Sequence, residues 1–375
     1  MDVTKAQPVL FPFYSQLDMI AAGGTDMKRC IDVMDEAFAL LGKGDYVMGG
    51  PNRNSHGMRL WFPLEPQHPG MPNGGPDQRF LTLPAYLGGR FHACGNKWYG
   101  SNIHNPSKHG LPRSILLMIL NEAETARPLA IMEANLLSGM RTGAVIGLSA
   151  RYLARKDSQR LGVIAAGPIS KFCTRAIAAE LPSLTLISVY DIVPEKGAAF
   201  AEQMSAELGI EVVPVGSLPE AVKGQDVVSA SISGSGGPLI EDNWLKEGSL
   251  LTLSSRVRFE DSYLKSARIV ADNWKMHQAY RDEGNAFPPE ERLIPHQRIH
   301  ELIAEGQIRE SSILELGHMA AGITPPPDPA ARRTVFLSNG MGIEDVAWAC
   351  ELHERASSMS LGTQLMLWDE QPYVL

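Results

Sequence analysis

The part of the chain that most constrains the fold is residues 161–170, an apolar run that ends in a glycine turn, followed by a second apolar run at residues 184–191. The order is strand, turn, helix and strand, which is how a βαβ unit holds a dinucleotide. The fingerprint G-x-G-x-x-G is incomplete, because only Gly167 is present and Ala165 and Ser170 stand at the outer positions. A plain βαβ unit without a ligand is therefore an equal interpretation of the turn alone.

Asp191 is a stronger indication of a dinucleotide than the turn. It lies roughly 20 residues beyond the turn, where a carboxylate accepts hydrogen bonds from a ribose diol. No arginine follows in residues 192–195 to bind a 2′-phosphate. We therefore expect NAD(H) rather than NADP(H), with Gly167, Pro168 and Ile169 at the pyrophosphate.

The composition indicates a globular protein with a small-molecule partner. The chain has 375 residues, enough for two domains, and 44% of them are hydrophobic. No apolar run reaches the roughly 18 residues of a membrane helix, and the first residues lack a secretory pattern. A net charge of -8 without a long basic run argues against nucleic acid. We expect a cytoplasmic protein that binds neither membrane nor nucleic acid.

Metal and disulfide chemistry are not indicated. The four cysteines show no C-x-x-C spacing, and no two histidines stand at the helical i, i+4 spacing of a zinc site with a carboxylate between them. His104 and His109 lie in the loop after a lysine-containing strand, so either is a candidate proton carrier or an ordinary exposed histidine.

The strand and helix patterns divide the chain into two domains. Strand-like runs dominate residues 80–120, whereas strands and helices alternate from residue 160 onward, which predicts a parallel sheet with covering helices. We predict an α/β protein: a Rossmann-type doubly wound sheet over residues 144–325, and a strand-rich α+β domain formed by residues 1–143 and 326–375. A proline-rich run marks the second boundary. A helix with many small residues, near residue 140, connects the two.

Further segments, together with the turn and in the same order, resemble the ornithine cyclodeaminase and mu-crystallin superfamily along nearly the whole chain. They are residues 97–102, 105–108, 130–142 and 339–345. Within that superfamily, the lysine strand, the loop at 105–108, residues 271–274 and the tail at 361–365 are similar to opine-type, NAD-dependent amine dehydrogenases of siderophore pathways. The resemblance implies hydride transfer at a C–N bond through an imine. It also implies a homodimer formed through the N-terminal domain, which would serve for substrate binding and dimerisation.

The resemblance assigns the substrate carboxylate to two cations. Arg141 matches the arginine that clamps the carboxylate, and its planar fork suits a bidentate contact. Lys97 matches the active-site lysine that contacts the carboxylate or assists proton transfer. Taken alone, Arg141 could form a surface ion pair and Lys97 could face solvent on an edge strand. Thr142 matches the residue that meets the cofactor phosphates.

Two positions depart from the family pattern. Leu81 stands where cyclodeaminases carry a glutamate, which makes ornithine cyclisation less expected, and Arg79 on the same strand is a second candidate anion clamp. Val257 stands where the family places a catalytic aspartate. Glu260 could replace that aspartate if the loop is shifted, as could its neighbour Asp261.

Alternatively, Arg256 and Arg258 read an extra carboxylate, or the loop is simply a solvated charged segment. Ser231 and Ser233 end a predicted strand at the carboxyl edge, where the nicotinamide ribose should lie. The glycine- and serine-rich segment that they begin could equally be a plain turn.

Three functions remain compatible with the sequence. The leading one is an NAD-dependent oxidoreductase that acts on the C–N bond of an amino acid or a secondary-amine dicarboxylate. The second is a cyclodeaminase that recycles NAD internally. The third is a non-catalytic nucleotide binder, which Val257 in place of aspartate favours.

Overall fold

The computed structural model describes residues 8–74, 78–233, 237–285 and 294–369. The strands are β1 (Val9–Tyr14), β2 (Tyr46–Met48), β3 (Met58–Trp61), β4 (Arg79–Leu87), β5 (Ala93–Ser101), β6 (Ser114–Glu122), β7 (Pro128–Glu133), β8 (Arg160–Ile164), β9 (Leu186–Tyr190), β10 (Glu211–Pro214), β11 (Val227–Ala230), β12 (Leu239–Ile240), β13 (Leu250–Leu253), β14 (Arg258–Phe259), β15 (Arg268–Ala271), β16 (Leu314–Glu315), β17 (Thr334–Leu337) and β18 (Thr363–Trp368). The helices are α1 (Gln16–Ala21), α2 (Met27–Lys43), α3 (Asn135–Leu153), α4 (Pro168–Glu180), α5 (Pro194–Leu208), α6 (Leu218–Val222), α7 (Asp261–Ser266), α8 (Trp274–Asn285), α9 (Gln297–Ala304), α10 (Leu316–Ala320) and α11 (Gly342–Ser358).

The first sheet is mixed and carries one apolar face. Its strand order is β18-β1-β7-β6-β5-β4-β2, with β3 paired to β4. Residues alternate between buried and more exposed along β4, as expected for a strand with one covered face. On the covered face, Lys97 of β5 lies between Leu83 and Met118. The helix α11 packs against β4 and β5, so Lys97 is held in apolar surroundings.

The second sheet is parallel throughout and has the strand order β10-β9-β8-β11-β13-β17-β15-β16. Strands β8, β11 and β13 are almost entirely buried, as in sheets covered on both faces. The chain order reverses between β8 and β11, and open α/β sheets bind their ligands at such a switch point. The predicted α/β fold with a Rossmann-type doubly wound sheet is confirmed.

The chain leaves the second sheet later than the sequence indicated. We predicted that residues 326–375 belong with the N-terminal part, but β17 lies inside the second sheet, between β13 and β15. All four residues of β17 are buried, and a short continuous apolar run suits an inner parallel strand. Only α11 and β18 return to the first sheet, so residues 338–341 form the crossing between the two sheets.

Small residues bring α3 and α4 into close contact. An ideal Cβ on Gly143 would lie 2.6 Å from the backbone carbon and oxygen of Phe172, and one on Gly139 would lie 2.5 Å from the Phe172 ring. The glycines therefore set the distance between the two helices and fix α4, whose first turn carries the fingerprint.

Gly143→Ala should destabilise the protein although alanine is the better helix former. The new methyl group collides with backbone, and overpacking of this kind costs about 1–3 kcal/mol. Urea unfolding followed by circular dichroism would measure the change. Gly197→Ala in α5 is the matched control, because its Cβ would meet its nearest neighbour only at 3.9 Å. Equal stability of the two variants would contradict the close α3–α4 contact.

Candidate active site

The turn after β8 is held in a shape that glycine usually provides. Ala165 has φ +73°, in the left-handed region, and its N–H donates to the carbonyl of Tyr190 at 2.8 Å. This conformation costs an L residue about 1–2 kcal/mol. The turn therefore keeps the geometry of the fingerprint although its first glycine is missing.

Gly167 leaves open space at the start of α4. It is the N-cap residue of that helix, and an ideal Cβ on it would meet no atom within 4 Å. Pro168 is exposed at the first helical position, and Ile169 packs against the hydrophobic core. The free backbone N–H groups of a helix start bind phosphate, so the turn fits a dinucleotide pyrophosphate.

Asp191 joins the end of β9 to this turn. One carboxylate oxygen accepts a hydrogen bond from the N–H of Ala166 at 2.8 Å, and the other from the N–H of Val193 at 2.9 Å. Asp191 also lines a pocket of about 310 Å³ with Val189 and Val215. Each oxygen retains acceptor capacity, so the carboxylate can also bind a ribose diol at this pocket.

The other residues expected to contact the cofactor lie on different elements. The Ser231 hydroxyl, just after β11 at the switch point, lies 2.7 Å from the hydroxyl of Ser254. Ser233 is exposed and directly precedes residues 234–236, the part of the predicted loop that is outside the described residues. The Thr142 hydroxyl donates to the carbonyl of Ser138 in α3 at 2.7 Å. Their cofactor contacts stay predictions.

Lys97 and Arg141 meet in one buried cluster built around Asp345. Lys97 Nζ lies 2.7 Å from Asp345 Oδ2, and Arg141 Nε donates to Asp345 Oδ1 at 2.9 Å. Arg141 also donates to Glu344 at 2.6 Å, and both cations contact the Ser138 hydroxyl. Lys97 is only 2% exposed. The alternatives of a surface ion pair and a solvent-facing lysine are therefore wrong, although the substrate contact stays a prediction.

Burial changes the ionisation of this cluster. Burial, helped by the charge of Arg141, lowers the pKa of Lys97 to about 8 despite the opposing carboxylate of Asp345. Burial also raises the pKa of Glu344 to about 7. The raised pKa of Glu344 reduces the negative charge that faces Arg141 and Lys97 near neutral pH.

Asp272 fixes the crossing loop against the cluster. It follows β15, and its carboxylate accepts hydrogen bonds from the N–H groups of Asn339 and Gly340 and lies 2.9 Å from His277 Nε2. Gly340 has φ +77°, and an ideal Cβ there would lie 2.4 Å from Arg141 Nη1. Only glycine therefore allows the loop to pass so close to the guanidinium.

His56 is a site residue that the sequence interpretation missed. Its Nδ1 lies 2.7 Å from the carbonyl oxygen of Gly340, which requires a proton on Nδ1. Its ring lies 5.2 Å from that of Tyr280 in α8. His56 belongs to an irregular segment rich in glycine, proline and asparagine, where no periodicity signals burial. Its place beside the segment at 339–345 is visible only in three dimensions.

Arginines from both sheets gather next to His56. The Arg59 guanidinium lies 4.8 Å from the centre of the Tyr280 ring, and Arg79 lies over Trp61 and Tyr99 at 5.6 and 5.8 Å. Burial and then the charge of Arg59 lower the pKa of Arg256, and the charge of Arg79 adds to the effect.

We call Arg59, Arg79 and Arg256 the arginine cluster. Within the described ranges, neither Arg59 nor Arg256 has a carboxylate within 4 Å.

Glu260 is not brought to these groups. It is exposed at the start of α7, and its carboxylate accepts from the N–H of Asp242 at 2.8 Å. Asp242 in turn pairs with Arg333, which directly precedes β17. Glu260 is thereby tied to the amino-terminal edge of the second sheet, whereas ligands bind at the carboxyl edge. Val257 is buried, so no carboxylate stands at the expected position.

Comparisons with known proteins agree with this geometry. The profile of the ornithine cyclodeaminase/mu-crystallin family matches residues 24–360. The chain therefore belongs to that family, and the resemblance indicated by the sequence is confirmed.

Among the described residues, no helix has the length and apolar character to cross a membrane, and no group of three or more potential ligands could hold a metal ion.

Several relatives cover most of the chain. N-((2S)-2-amino-2-carboxyethyl)-L-glutamate dehydrogenase of Staphylococcus aureus is 27% identical over 95% of this chain and 98% of its own length. Alanine dehydrogenase of Archaeoglobus fulgidus is 30% identical over 76% of this chain and 82% of its own. The structure of Thermococcus litoralis Δ1-pyrroline-2-carboxylate reductase with NADH and L-proline is 28% identical, with a TM-score of 0.76, and the match covers 94% of this chain and 99% of that one.

Asp191→Ala should weaken NADH binding. Hydrogen bonds to a charged group contribute about 1.5–3 kcal/mol, so we expect the dissociation constant to rise by about 10- to 100-fold. NADPH should lose less affinity, because the carboxylate repels a 2′-phosphate. Fluorescence titration measures both, with Glu195→Ala in the first turn of α5 as control. An unchanged dissociation constant would place the ribose elsewhere.

Glu344 should make the protein less stable as the pH rises. Its folded-state pKa of about 7 exceeds the ordinary value of 4.5, so the folded state retains a proton that the unfolded chain loses between these pH values. The free energy of unfolding should therefore fall from about pH 4.5 to 7, by on the order of 2 kcal/mol more than in Glu344→Gln. Urea titrations at several pH values measure the difference.

Glu351→Gln is the control for this slope. The hydrogen bond from Arg29 lowers the pKa of Glu351 to about 2, so from about pH 5.5 to 7 this carboxyl is ionised in both the folded and the unfolded state. Its replacement should lower stability evenly over that range, in which the slope caused by Glu344 continues. Equal slopes for the wild type and Glu344→Gln would contradict the raised pKa.

Proposed function

We propose that the protein is an NAD(H)-dependent oxidoreductase that acts on the C–N bond of an amino acid or a secondary-amine dicarboxylate, in the manner of opine-type dehydrogenases. The observation that carries the proposal is the buried Lys97–Arg141 pair of cations beside the crossing loop of a sheet whose glycine turn fits a dinucleotide. The relatives named above are dehydrogenases or reductases, which supports the same class of reaction.

Each part of the site has a role in this reaction. The nicotinamide dinucleotide, when bound, accepts or donates the hydride. Gly167 and Asp191 hold the pyrophosphate and the adenosine ribose, and Arg141 and Lys97 hold the substrate carboxylate. Since Arg141 is already held by Glu344 and Asp345, its remaining N–H groups are fixed in direction before the substrate arrives. Such preorganisation lowers the entropic cost of orienting the substrate.

The arginine cluster supports a substrate with a second acidic group. Arg59 and Arg79 lie on β3 and β4, in the same sheet as Lys97, and Arg256 follows β13 of the other sheet. Arg59 pairs in register with Leu81, two positions along β4 from the partner of Lys97. Two positions along a strand span about 7 Å. This distance suits a substrate whose second acidic group is separated from its first carboxylate by a few bonds.

Net conversion of the dinucleotide tests the proposed reaction. Absorbance at 340 nm should change when the protein is given NAD with amino acids and secondary-amine dicarboxylates, or NADH with 2-oxo acids and amines. A cyclodeaminase would consume its substrate without net NADH formation. Tight NADH binding without any turnover across the panel would instead support a non-catalytic binder and contradict the proposal.

Arg256→Gln should separate dicarboxylate from monocarboxylate substrates. Loss of one charged hydrogen bond should raise KM for a dicarboxylic amine by about 10- to 100-fold, while KM for a monocarboxylic amine stays within about threefold. Steady-state kinetics on both substrates measure this. Arg258→Gln is the matched control, because Arg258 is exposed and its Nε donates to the carbonyl of Gly237. If Arg258→Gln raised this KM and Arg256→Gln did not, the proposed role of Arg256 in binding the second acidic group would be wrong.

We further propose that the protein forms a homodimer through the outer face of the first sheet. Phe80, Trp98, Ile115 and Leu117 are between 37 and 50% exposed on adjacent strands of that face, away from Lys97. In a dimer with two-fold symmetry, this patch on one copy would pack against the same patch on the other copy.

We place the reaction in cytoplasmic amino-acid or siderophore-type biosynthesis.

Leu117→Glu should therefore give a monomer. A charge in the centre of the apolar face must be desolvated in the dimer, which opposes association. Light scattering after size-exclusion chromatography measures the mass. Leu64→Glu, at a leucine that is 75% exposed outside the sheets, should leave the mass unchanged. A wild-type monomer, or a dimer in Leu117→Glu, would contradict the proposed interface.

A further inference from the structure

The reaction proposed above needs a group that accepts and returns a proton at the C–N bond, and the position expected to supply it holds Val257. Val257 is buried and has no titratable atom. Glu260 is tied to Asp242, near the amino edge of the second sheet. Another element near the Lys97–Arg141 cluster must therefore supply the proton acceptor.

We propose that His56 is the catalytic proton acceptor and donor, acting through Nε2. Its Nδ1 donates to the Gly340 carbonyl at 2.7 Å, which leaves the lone pair of a neutral imidazole on Nε2. Among the described residues, no hydrogen-bond partner occupies Nε2, and the side chain is partly exposed. The inference rests on the proposed function.

His56 lies between the two groups of cations that would hold the ends of the substrate. The Gly340 carbonyl accepts from His56, and an ideal Cβ on Gly340 would lie 2.4 Å from Arg141 Nη1, so the ring stands next to the cluster around Asp345. On its other side, His56 contacts the Tyr280 ring, over which Arg59 lies. A substrate that spans both groups of cations places its central C–N bond near the imidazole.

The surroundings keep the imidazole neutral. Burial is the largest influence and lowers the pKa of His56 well below 6.5, and the charges of Arg59, Lys97 and Arg141 act in the same direction. The carbonyl of Gly340 is the one opposing influence. At neutral pH His56 is therefore available as a base, which the oxidative direction requires when water adds to the iminium ion.

The proton balance of the oxidative direction is closed with one base. The C–H bond breaks and its electron pair leaves as hydride to the nicotinamide dinucleotide, which gives an iminium ion. Water adds to the iminium carbon and its proton goes to Nε2 of His56. Nε2 then gives this proton to the nitrogen as the C–N bond breaks. The hydroxyl group loses its proton to Nε2, which passes it to solvent, and the products are a 2-oxo acid and an amine.

His56→Asn tests the proposal, because the asparagine amide can still donate to Gly340 but cannot accept a proton. We expect kcat to fall by about 10²- to 10⁴-fold, with KM and the NADH dissociation constant within about threefold of the wild type. The acidic limb of the kcat profile, expected well below pH 6.5 in the wild type, should disappear, and imidazole added to His56→Gly should restore part of the rate. His68→Asn, at an exposed loop histidine, is the control.

Other outcomes overturn the assignment. Turnover of His56→Asn and His56→Gln within threefold of the wild type, or a slow variant that keeps the acidic limb and is not rescued, would show that His56 has no proton-transfer role. Nitrogen NMR of the wild type at pH 7 must show a proton on Nδ1 and none on Nε2; an imidazolium would also contradict the proposal. Lack of turnover in the wild type would instead contradict the proposed function itself.

Discussion

The carboxylate of Asp345 is the contact on which the site depends. It lies at the start of α11 and holds Lys97 of β5 and Arg141 of α3, so three elements that are far apart in sequence meet at one side chain. Two buried cations next to each other repel, and neither could remain charged in apolar surroundings without a shared anion. Asp345 therefore makes it possible to keep two positive groups side by side in the interior, where we propose that they bind the substrate carboxylate.

The same carboxylate also depends on the second sheet. The loop that leads into α11 is held by Asp272, which follows β15, and passes so close to Arg141 that position 340 must be glycine. A buried network of this kind acts as a unit, because removal of one partner leaves the others uncompensated. The geometry of the Lys97–Arg141 cluster is thus coupled to the sheet whose strand β8 precedes the glycine turn.

The sequence predicted the parts that follow from local pattern. The alternation of strands and helices indicated the doubly wound sheet, and the run of small residues near residue 140 indicated a helix between the two domains. Lys97 and Arg141 were found through the family resemblance, whereas their common partner Asp345 was visible only as part of a matching segment. Spacing along a chain does not show which carboxylate lies between two cations.

Other features could not be read from the sequence for physical reasons. The membership of β17 in the second sheet depends on long-range strand pairing, which an apolar run of four residues does not specify. His56 and Arg59 lie in or next to an irregular segment without periodicity. Glu260 appeared suitable only because a one-dimensional alignment cannot show that its carboxylate already accepts from Asp242.

The position of β17 also determines how the protein can be divided. A fragment that ends near residue 326 would lack this strand and leave a gap between β13 and β15, both of which pair with it. The two exposed edges would present unpaired N–H and C=O groups and invite aggregation. The nucleotide-binding half is consequently not a separable cassette: any excised or transplanted form must retain the chain through Leu337, the last residue before the crossing loop.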